Sequence, residues 1–229
     1  DLVHPVVRIL EPVDGSYLDS SSCEIVFSVS DEGTGVKDLA LELDGDLQDT
    51  MPSSDRFYLD NLSDGTHEII LTAIDKADQR SSDSIELTVD TVEPSLEIIS
   101  PLEGDRIHHT DLSFSWSSRD DRSGISRVQY SLDGKIWTGT ATQSGEIMIR
   151  SRPGPTTLYV AVYDHAGNVI RRSINITIDI YKPEIEDYGP LDDDVDIDST
   201  IWASFNEDMI PDSVEIEVNG MQGTIGGGP

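Results

Sequence analysis

The sequence has little cysteine and no long apolar run, and each scarcity excludes a class of protein. Cys23 is the only cysteine among 229 residues, so no disulfide can form within the chain. An exported protein without disulfides is more typical of a prokaryotic surface, bacterial or archaeal, than of an animal one. Because no apolar run approaches the roughly 20 residues that span a bilayer, we expect no direct membrane insertion.

Positive charge is also scarce, and its scarcity excludes nucleic acid as a partner. The chain carries 45 acidic against 15 basic residues, a formal net charge of −30. Such a surface repels a phosphate backbone instead of neutralising it. Two explanations of the acidity remain open, namely divalent cation sites or the solvation of a surface protein in salty surroundings.

Catalytic motifs are absent from the sequence. It contains no G-x-S-x-G nucleophile elbow, no phosphate-binding glycine loop and no H-E-x-x-H zinc motif. The five histidines are scattered, apart from the adjacent pair His108 and His109. We therefore expect a protein that is not an enzyme.

An internal repeat of 89 residues is the most informative feature of the chain. Prolines, glycines and aspartates recur at this offset through two full copies without a gap, and prolines recur again in a third copy. The recurring positions are Pro5, Pro94 and Pro183; Pro12, Pro101 and Pro190; Gly15 and Gly104; Asp31 and Asp120; Gly35 and Gly124; Asp75 and Asp164; and Asp90 and Asp179.

Within each copy, apolar residues alternate with polar ones, as in strands that have one buried face. In the second copy the stripes are Leu112–Trp116, Val128–Leu132, Leu158–Val162 and Ile174–Ile178. About seven such strands in about 90 residues, with no helical stretch, predict a two-sheet sandwich. The expected fold is all-β, with tandem immunoglobulin-like antiparallel β-sandwiches in a rod-like array.

The repeat also predicts the domain boundaries. They place one sandwich at residues 1–92, a second at 93–181 and a truncated third module at 182–229. The joints Asp90–Pro94 and Asp179–Pro183 are short and contain proline, so we expect them to be stiff. Because the third copy stops at half length, we expect a fragment of a longer protein.

Three motifs stand out in the second copy, namely Asp120-Asp121-Arg122-Ser123-Gly124-Ile125, Tyr130-Ser131-Leu132-Asp133-Gly134 and Asp164-His165-Ala166-Gly167-Asn168. They resemble the motifs of the Ig-like repeats in large exported proteins of bacteria and archaea. The third copy carries Pro190, Val195, Ser199, Phe205–Met209 and Asp212–Val214. On these residues it is similar to the Ig-like type of S-layer-associated proteins.

This resemblance implies an extracellular location at the cell surface and a non-catalytic role as a structural spacer or in adhesion. The expected partners are neighbouring modules of the same protein, and another surface protein or a glycan is a further candidate. The alternative is a carbohydrate- or ligand-binding accessory module of a secreted hydrolase. Trp137, which follows a turn, is then the candidate for stacking on a sugar, against ordinary packing.

Calcium is the one cofactor that the sequence suggests, without making it certain. In an Ig-like sandwich the B–C and F–G loops lie at the same end, where the chain from the preceding module also enters. Five carboxylates would then converge, from Asp90, Glu93, Asp120, Asp121 and Asp164. The alternative is that Asp120 and Asp164 cap their own turns through hydrogen bonds to the backbone.

Three further features of the sequence give less specific indications of a site. The sequons at Asn61 and Asn175 are candidate glycosylation sites. The acidic run Asp192–Asp198 has no glycine at the sixth position of a calcium loop, so we interpret it as a surface turn. Cys23 falls in a strand pattern and is expected to be a small buried apolar residue.

Overall fold

The computed structural model describes residues 3–50, 55–140, 143–189, 200–206, 217–218 and 221–222. These residues form strands and turns and contain no helix, which confirms the all-β fold class. Accordingly, no helix in the described part of the chain is long and apolar enough to cross a membrane. The chain divides into two compact units, Asp1–Ile178 and Asp179–Pro229.

The first sandwich consists of eight strands in two sheets, ordered β1-β3-β6 and β2-β8-β7-β4-β5. All neighbouring strands are antiparallel except the short β2, which runs parallel to β8. The strands are β1 (Val6–Glu11), β2 (Ser16–Leu18), β3 (Cys23–Ser30), β4 (Val36–Leu43), β5 (Asp46–Thr50), β6 (Arg56–Leu59), β7 (Gly65–Asp75) and β8 (Arg80–Val89).

The second sandwich repeats this topology, with sheets ordered β14-β11-β9 and β10-β16-β15-β12-β13. Three of its strands lie 89 residues after their counterparts at both ends, and the others differ by a few residues. The strands are β9 (Ser95–Ser100), β10 (Arg106–Ile107), β11 (Asp111–Arg119), β12 (Ile125–Ser131), β13 (Thr138–Thr140), β14 (Ser144–Arg150), β15 (Gly154–Asp164) and β16 (Val169–Ile178).

Each sandwich encloses its own hydrophobic core, built from the alternating residues that the sequence pattern identifies. In the second core Leu158, Val160 and Val162 are fully buried, and Trp116 is stacked on Phe114 with the ring centroids 4.9 Å apart. Cys23 is only half-buried at the margin of the first core. Burial and the nearby carboxylate of Asp60 raise the pKa of its thiol.

A buried histidine fixes the hairpin turn between β4 and β5. The turn residues Asp44 and Gly45 both have positive φ, as a tight hairpin requires. The Nδ1 of His67 lies 2.7 Å from Asp44 Oδ2, and its Nε2 lies 2.8 Å from the carbonyl of Ser63. Burial opposes the charge on His67, but these two acceptors outweigh burial and raise the pKa of the ring.

In the second unit, β17 (Ile185–Gly189) pairs antiparallel with β18 (Trp202–Phe205), and β19 (Glu217–Val218) pairs with β20 (Met221–Gln222). Ile201, Ala203 and Phe205 lie 89 residues after Leu112, Phe114 and Trp116, so the repeat predicts an apolar stripe here as well. In the structure Ile201 and Ala203 are exposed and Phe205 is half-buried. The acidic run Asp192–Asp198 and most of the S-layer-like motif lie outside the described residues.

Candidate functional site at the junction of the two sandwiches

Asp90 is the first residue of the segment that joins β8 to β9. Its carboxylate is fully buried, and its backbone N–H donates to the carbonyl of Leu18 in the first sandwich (2.9 Å). Oδ2 accepts hydrogen bonds from the Ser123 backbone N–H (3.0 Å) and hydroxyl (2.6 Å) of the second sandwich, while Oδ1 accepts from Val92 N–H (3.1 Å). One side chain therefore ties the linker to the following sandwich.

The environment of Asp90 favours its ionised form. Burial alone opposes the charge, but the hydrogen bonds from Ser123 and Val92 and the positive charge of Arg122 outweigh it. The net effect holds the pKa of the Asp90 carboxyl below its usual value. The junction therefore contains a buried negative charge at neutral pH.

Asp164 ends β15 and caps the turn that leads to β16. Its Oδ1 accepts from the backbone N–H groups of Gly167 (2.6 Å) and Asn168 (2.8 Å). Its Oδ2 accepts from the amide of Asn168 at 2.8 Å, and the same amide donates to the carbonyl of Asp90 at 2.7 Å. Asn168 thus joins the turn to the linker.

Asp120 caps the loop between β11 and β12 in a similar way. Its Oδ1 accepts from the backbone N–H groups of Arg122 (3.1 Å) and Gly124 (2.8 Å). Gly124 has a φ of +76°, a conformation that favours glycine. The turn-capping bonds considered from the sequence are therefore present at both aspartates.

The carboxylates of Asp90, Asp120 and Asp164 also form a cluster, in which one oxygen from each lies within 4.8 Å of the others. Two unit charges separated by 4.8 Å repel each other by about 3.5 kcal/mol at an effective dielectric constant of about 20. A carboxylate has about four acceptor positions, so a capping bond leaves room for a cation. Three hard oxygen ligands suit Ca²⁺, with water completing its coordination.

The other two predicted ligands do not join this cluster. Asp121 is exposed and accepts a hydrogen bond from the guanidinium of Arg119, which directs its carboxylate elsewhere. Glu93 is exposed in the linker, one residue before the buried Pro94. Loop residues adjacent in sequence point in different directions, and the order of the strands does not determine the direction of each side chain.

Several junction contacts were not anticipated from the sequence. Asp64, in the loop before β7, accepts from Thr91 N–H (2.9 Å) through Oδ1 and pairs with Arg122 (3.2 Å) through Oδ2. The rings of Tyr17 and His165 lie 5.7 Å apart across the junction. The sequence does point to Ser123, because its counterpart in the first copy, Thr34, also carries a hydroxyl. No feature of the sequence points to Asp64, which is distant along the chain.

The remaining candidate residues lie away from this cluster. Asn61 is exposed in the loop before β7, with a φ of +59°. Asn175 is exposed on β16, where its amide donates to Glu103 and its oxygen accepts from Thr157. Trp137 is half-buried.

Comparisons with known proteins support the fold. A family model described as a bacterial Ig domain matches residues 94–147, which lie in the second sandwich. No curated protein matches the sequence. Among solved structures, the fibronectin(III)-like modules of Clostridium thermocellum CbhA are 17% identical with a TM-score of 0.55, over 76% of this chain and 94% of theirs.

A second structural relative is a viral surface protein. The three N-terminal domains of the highly immunogenic outer capsid protein of bacteriophage RB49 are 12% identical, with a TM-score of 0.50, over 79% of this chain and 71% of theirs. Identities this low establish the fold alone. The described part of the chain therefore contains two β-sandwiches of the Ig-like fold.

Proposed function

We propose that this chain is a non-catalytic spacer of an extracellular cell-surface protein, in which a calcium-binding junction fixes one Ig-like sandwich against the next. The observation that carries the proposal is the buried carboxylate of Asp90, which accepts two hydrogen bonds from Ser123 of the following sandwich. A linker held in this way resists bending. The strongly acidic surface keeps neighbouring molecules apart.

Calcium contributes to this role by neutralising the carboxylate cluster. Extracellular modules typically bind calcium with a Kd of about 0.1–1 mM. At ten times Kd, the ligand stabilises the folded state by about 1.4 kcal/mol. For a unit of this size the melting midpoint then rises by about 3–6 °C.

The matched variants for this measurement are Asp120→Asn and Asp121→Asn. The first keeps one oxygen to cap the loop but removes a cluster carboxylate, while the second changes an adjacent carboxylate outside the cluster. We expect calcium to raise the midpoint of the unchanged chain and of Asp121→Asn, but not that of Asp120→Asn. An equal midpoint in calcium and in EDTA, at matched ionic strength, would contradict calcium binding at the junction.

The spacer role itself is tested by nuclear magnetic resonance relaxation of backbone amides. If the junction is stiff, amides of the two sandwiches report the same rotational correlation time. Asp90→Ala removes the hydrogen bonds to Ser123, and we expect the two sandwiches then to report shorter, separate times. Equal times in the variant and the unchanged chain would show that Asp90 does not limit bending.

A cleft in the second sandwich favours a second candidate function, the binding of a carbohydrate or another ligand. Its volume is about 570 Å³, and its lining includes Tyr130, Leu132 and the exposed side chains of Ile136 and Met148. Trp137 does not line it. This role would be supported if the unchanged chain binds a glycan on an array and Ile136→Ser does not. The absence of binding by the unchanged chain to any arrayed glycan would count against it.

A further inference from the structure

Two buried carboxylate oxygens of the first sandwich, Asp31 Oδ1 and Asp75 Oδ2, have no hydrogen-bond partner. The other oxygen of each residue accepts two backbone hydrogen bonds. Asp31 Oδ2 accepts from the N–H groups of Gly33 (3.1 Å) and Gly35 (2.6 Å), and Asp75 Oδ1 accepts from those of Ala77 (2.8 Å) and Gln79 (2.7 Å). Buried polar groups normally have partners, so these orphaned oxygens need an explanation.

Strand pairing places both aspartates at the same end of the sandwich. Asp75 ends β7 opposite Val36 at the start of β4, and Asp31 precedes β4 in the adjoining loop. The backbone N–H of Lys76 donates to the carbonyl of Gly35 at 3.1 Å, which joins the two loops directly. Asp75 is fully buried, so its free oxygen lies within this loop pair and not in solvent.

The second sandwich shows how such a pair is arranged. Asp120 and Asp164 occupy the positions 89 residues after Asp31 and Asp75, and their ligand oxygens lie within 4.8 Å of each other. The two copies differ in the hydrogen bonds of the second aspartate. Asn168 donates to Asp164 Oδ2, whereas the oxygen of Asp75 has no donor. The strand pairing and the 89-residue offset therefore place an equivalent carboxylate pair in the first copy, and the oxygens of that pair have fewer donors.

We propose that the Asp31–Asp75 pair is a second site for a divalent cation of the calcium class, at the end of the first sandwich opposite its junction with the second. A hard cation prefers carboxylate oxygens and compensates two buried unpaired ones at once. Within the described residues, no salt bridge joins Lys76 or another cationic side chain to either aspartate.

This inference deepens the proposed function and rests on it for the class of ligand. It implies that the cation site belongs to the repeat and not to one junction. Each of the two sandwiches would then carry a site at the end where its first strand begins.

The test is a calcium titration of the full chain, followed through backbone amide resonances. The amides of Gly35 and Gln79 donate to the Asp31–Asp75 pair, while those of Gly124 and Asn168 donate to the junction aspartates. We expect both sets to shift and to saturate in the millimolar range. Each set reports its own site.

Asp75→Asn and Asp31→Asn keep a capping oxygen but replace a ligand oxygen with an amide. Each is expected to weaken calcium binding at the Gly35 and Gln79 amides at least tenfold, with the junction unaffected. Asp78→Asn is the matched control, since Asp78 lies in the same turn and pairs with Lys37 at the surface. It should change the affinity less than twofold.

The outcomes separate this inference from the proposed function. If the junction amides respond to calcium but those of Gly35 and Gln79 do not, the inference is wrong and the junction site stands. The reverse pattern would support the inference and overturn calcium binding at the junction. If neither set of amide resonances shifts with calcium, both this inference and calcium binding at the junction are wrong. A response at Gly35 and Gln79 that survives Asp75→Asn and Asp31→Asn also overturns the inference.

Discussion

Replacing Ser123 by alanine tests whether Asp90 holds the two sandwiches together. The hydroxyl of Ser123 donates to Asp90 Oδ2 at 2.6 Å, and both side chains are buried, at 5% and 0% exposure. The substitution removes that donor while the backbone N–H of residue 123 still donates. The change is therefore confined to one charge-assisted hydrogen bond across the junction.

The expected loss follows from the type of acceptor. A hydrogen bond to a charged group contributes about 1.5–3 kcal/mol, against about 0.5–1.5 kcal/mol for one between neutral groups. Ser118→Ala is the matched control, because the buried hydroxyl of Ser118 donates at 2.6 Å to the neutral carbonyl of Gln143 within the second sandwich. We therefore expect Ser123→Ala to lower the free energy of unfolding by about 1 kcal/mol more than Ser118→Ala.

Urea unfolding measures both losses, with fluorescence of the buried Trp116 as the probe of the second sandwich in a background that carries Trp137→Phe and Trp202→Phe. A double-mutant cycle of Ser123→Ala with Asp90→Ala isolates the interaction between the two residues, and we expect a coupling of about 1–3 kcal/mol. If Ser123→Ala costs no more than the control, or if the two substitutions are additive, Asp90 does not stabilise the junction as argued.

Three other predictions follow from single residues. Because the folded-state pKa of His67 is raised, the stability that its charge contributes is complete below about pH 6.5 and is lost as pH rises through the folded value. In calorimetry from pH 5.5 to 8.5, the stability that His67→Phe loses relative to the unchanged chain should therefore decrease as the pH rises. In a glycosylating host, mass spectrometry should find glycan on Asn61 and none on Asn175, whose amide is already engaged. Arg122→Gln should cost under about 1 kcal/mol, and 1 M salt should reduce that cost, since its ion pair is partly exposed.

The fold could be predicted because the two periodicities of the sequence have direct physical causes. Alternation along Leu158–Val162 reflects one buried face of a strand, and all three apolar residues of that stripe are fully buried. The 89-residue offset reflects a duplicated unit, so β7 and β15 coincide residue for residue. In the third copy the predicted stripe at Ile201–Phe205 is exposed or half-buried, because exposure depends on what covers a strand as well as on its pattern.

The candidate site was predictable only in part. Topology brings the loops of Asp120 and Asp164 and the linker residue Asp90 to one end of the second sandwich, and these three carboxylates converge. Topology does not determine the direction of a loop side chain, which depends on local partners such as Arg119 beside Asp121. Whether a carboxylate oxygen has a donor depends on a single neighbour, as Asn168 beside Asp164 illustrates.

Turn capping and cation binding were alternatives from the sequence, but the geometry makes them compatible. At Asp120 a single oxygen accepts both backbone hydrogen bonds, which leaves the second oxygen for the cluster. Asparagine retains an acceptor for the turn and loses the cluster charge, whereas alanine loses both. In chelator, Asp120→Ala should therefore unfold at a lower temperature than Asp120→Asn, while neither gains stability from calcium. Equal midpoints for the two variants in chelator would mean that the capping bonds contribute nothing, and the carboxylate would then serve the cluster alone.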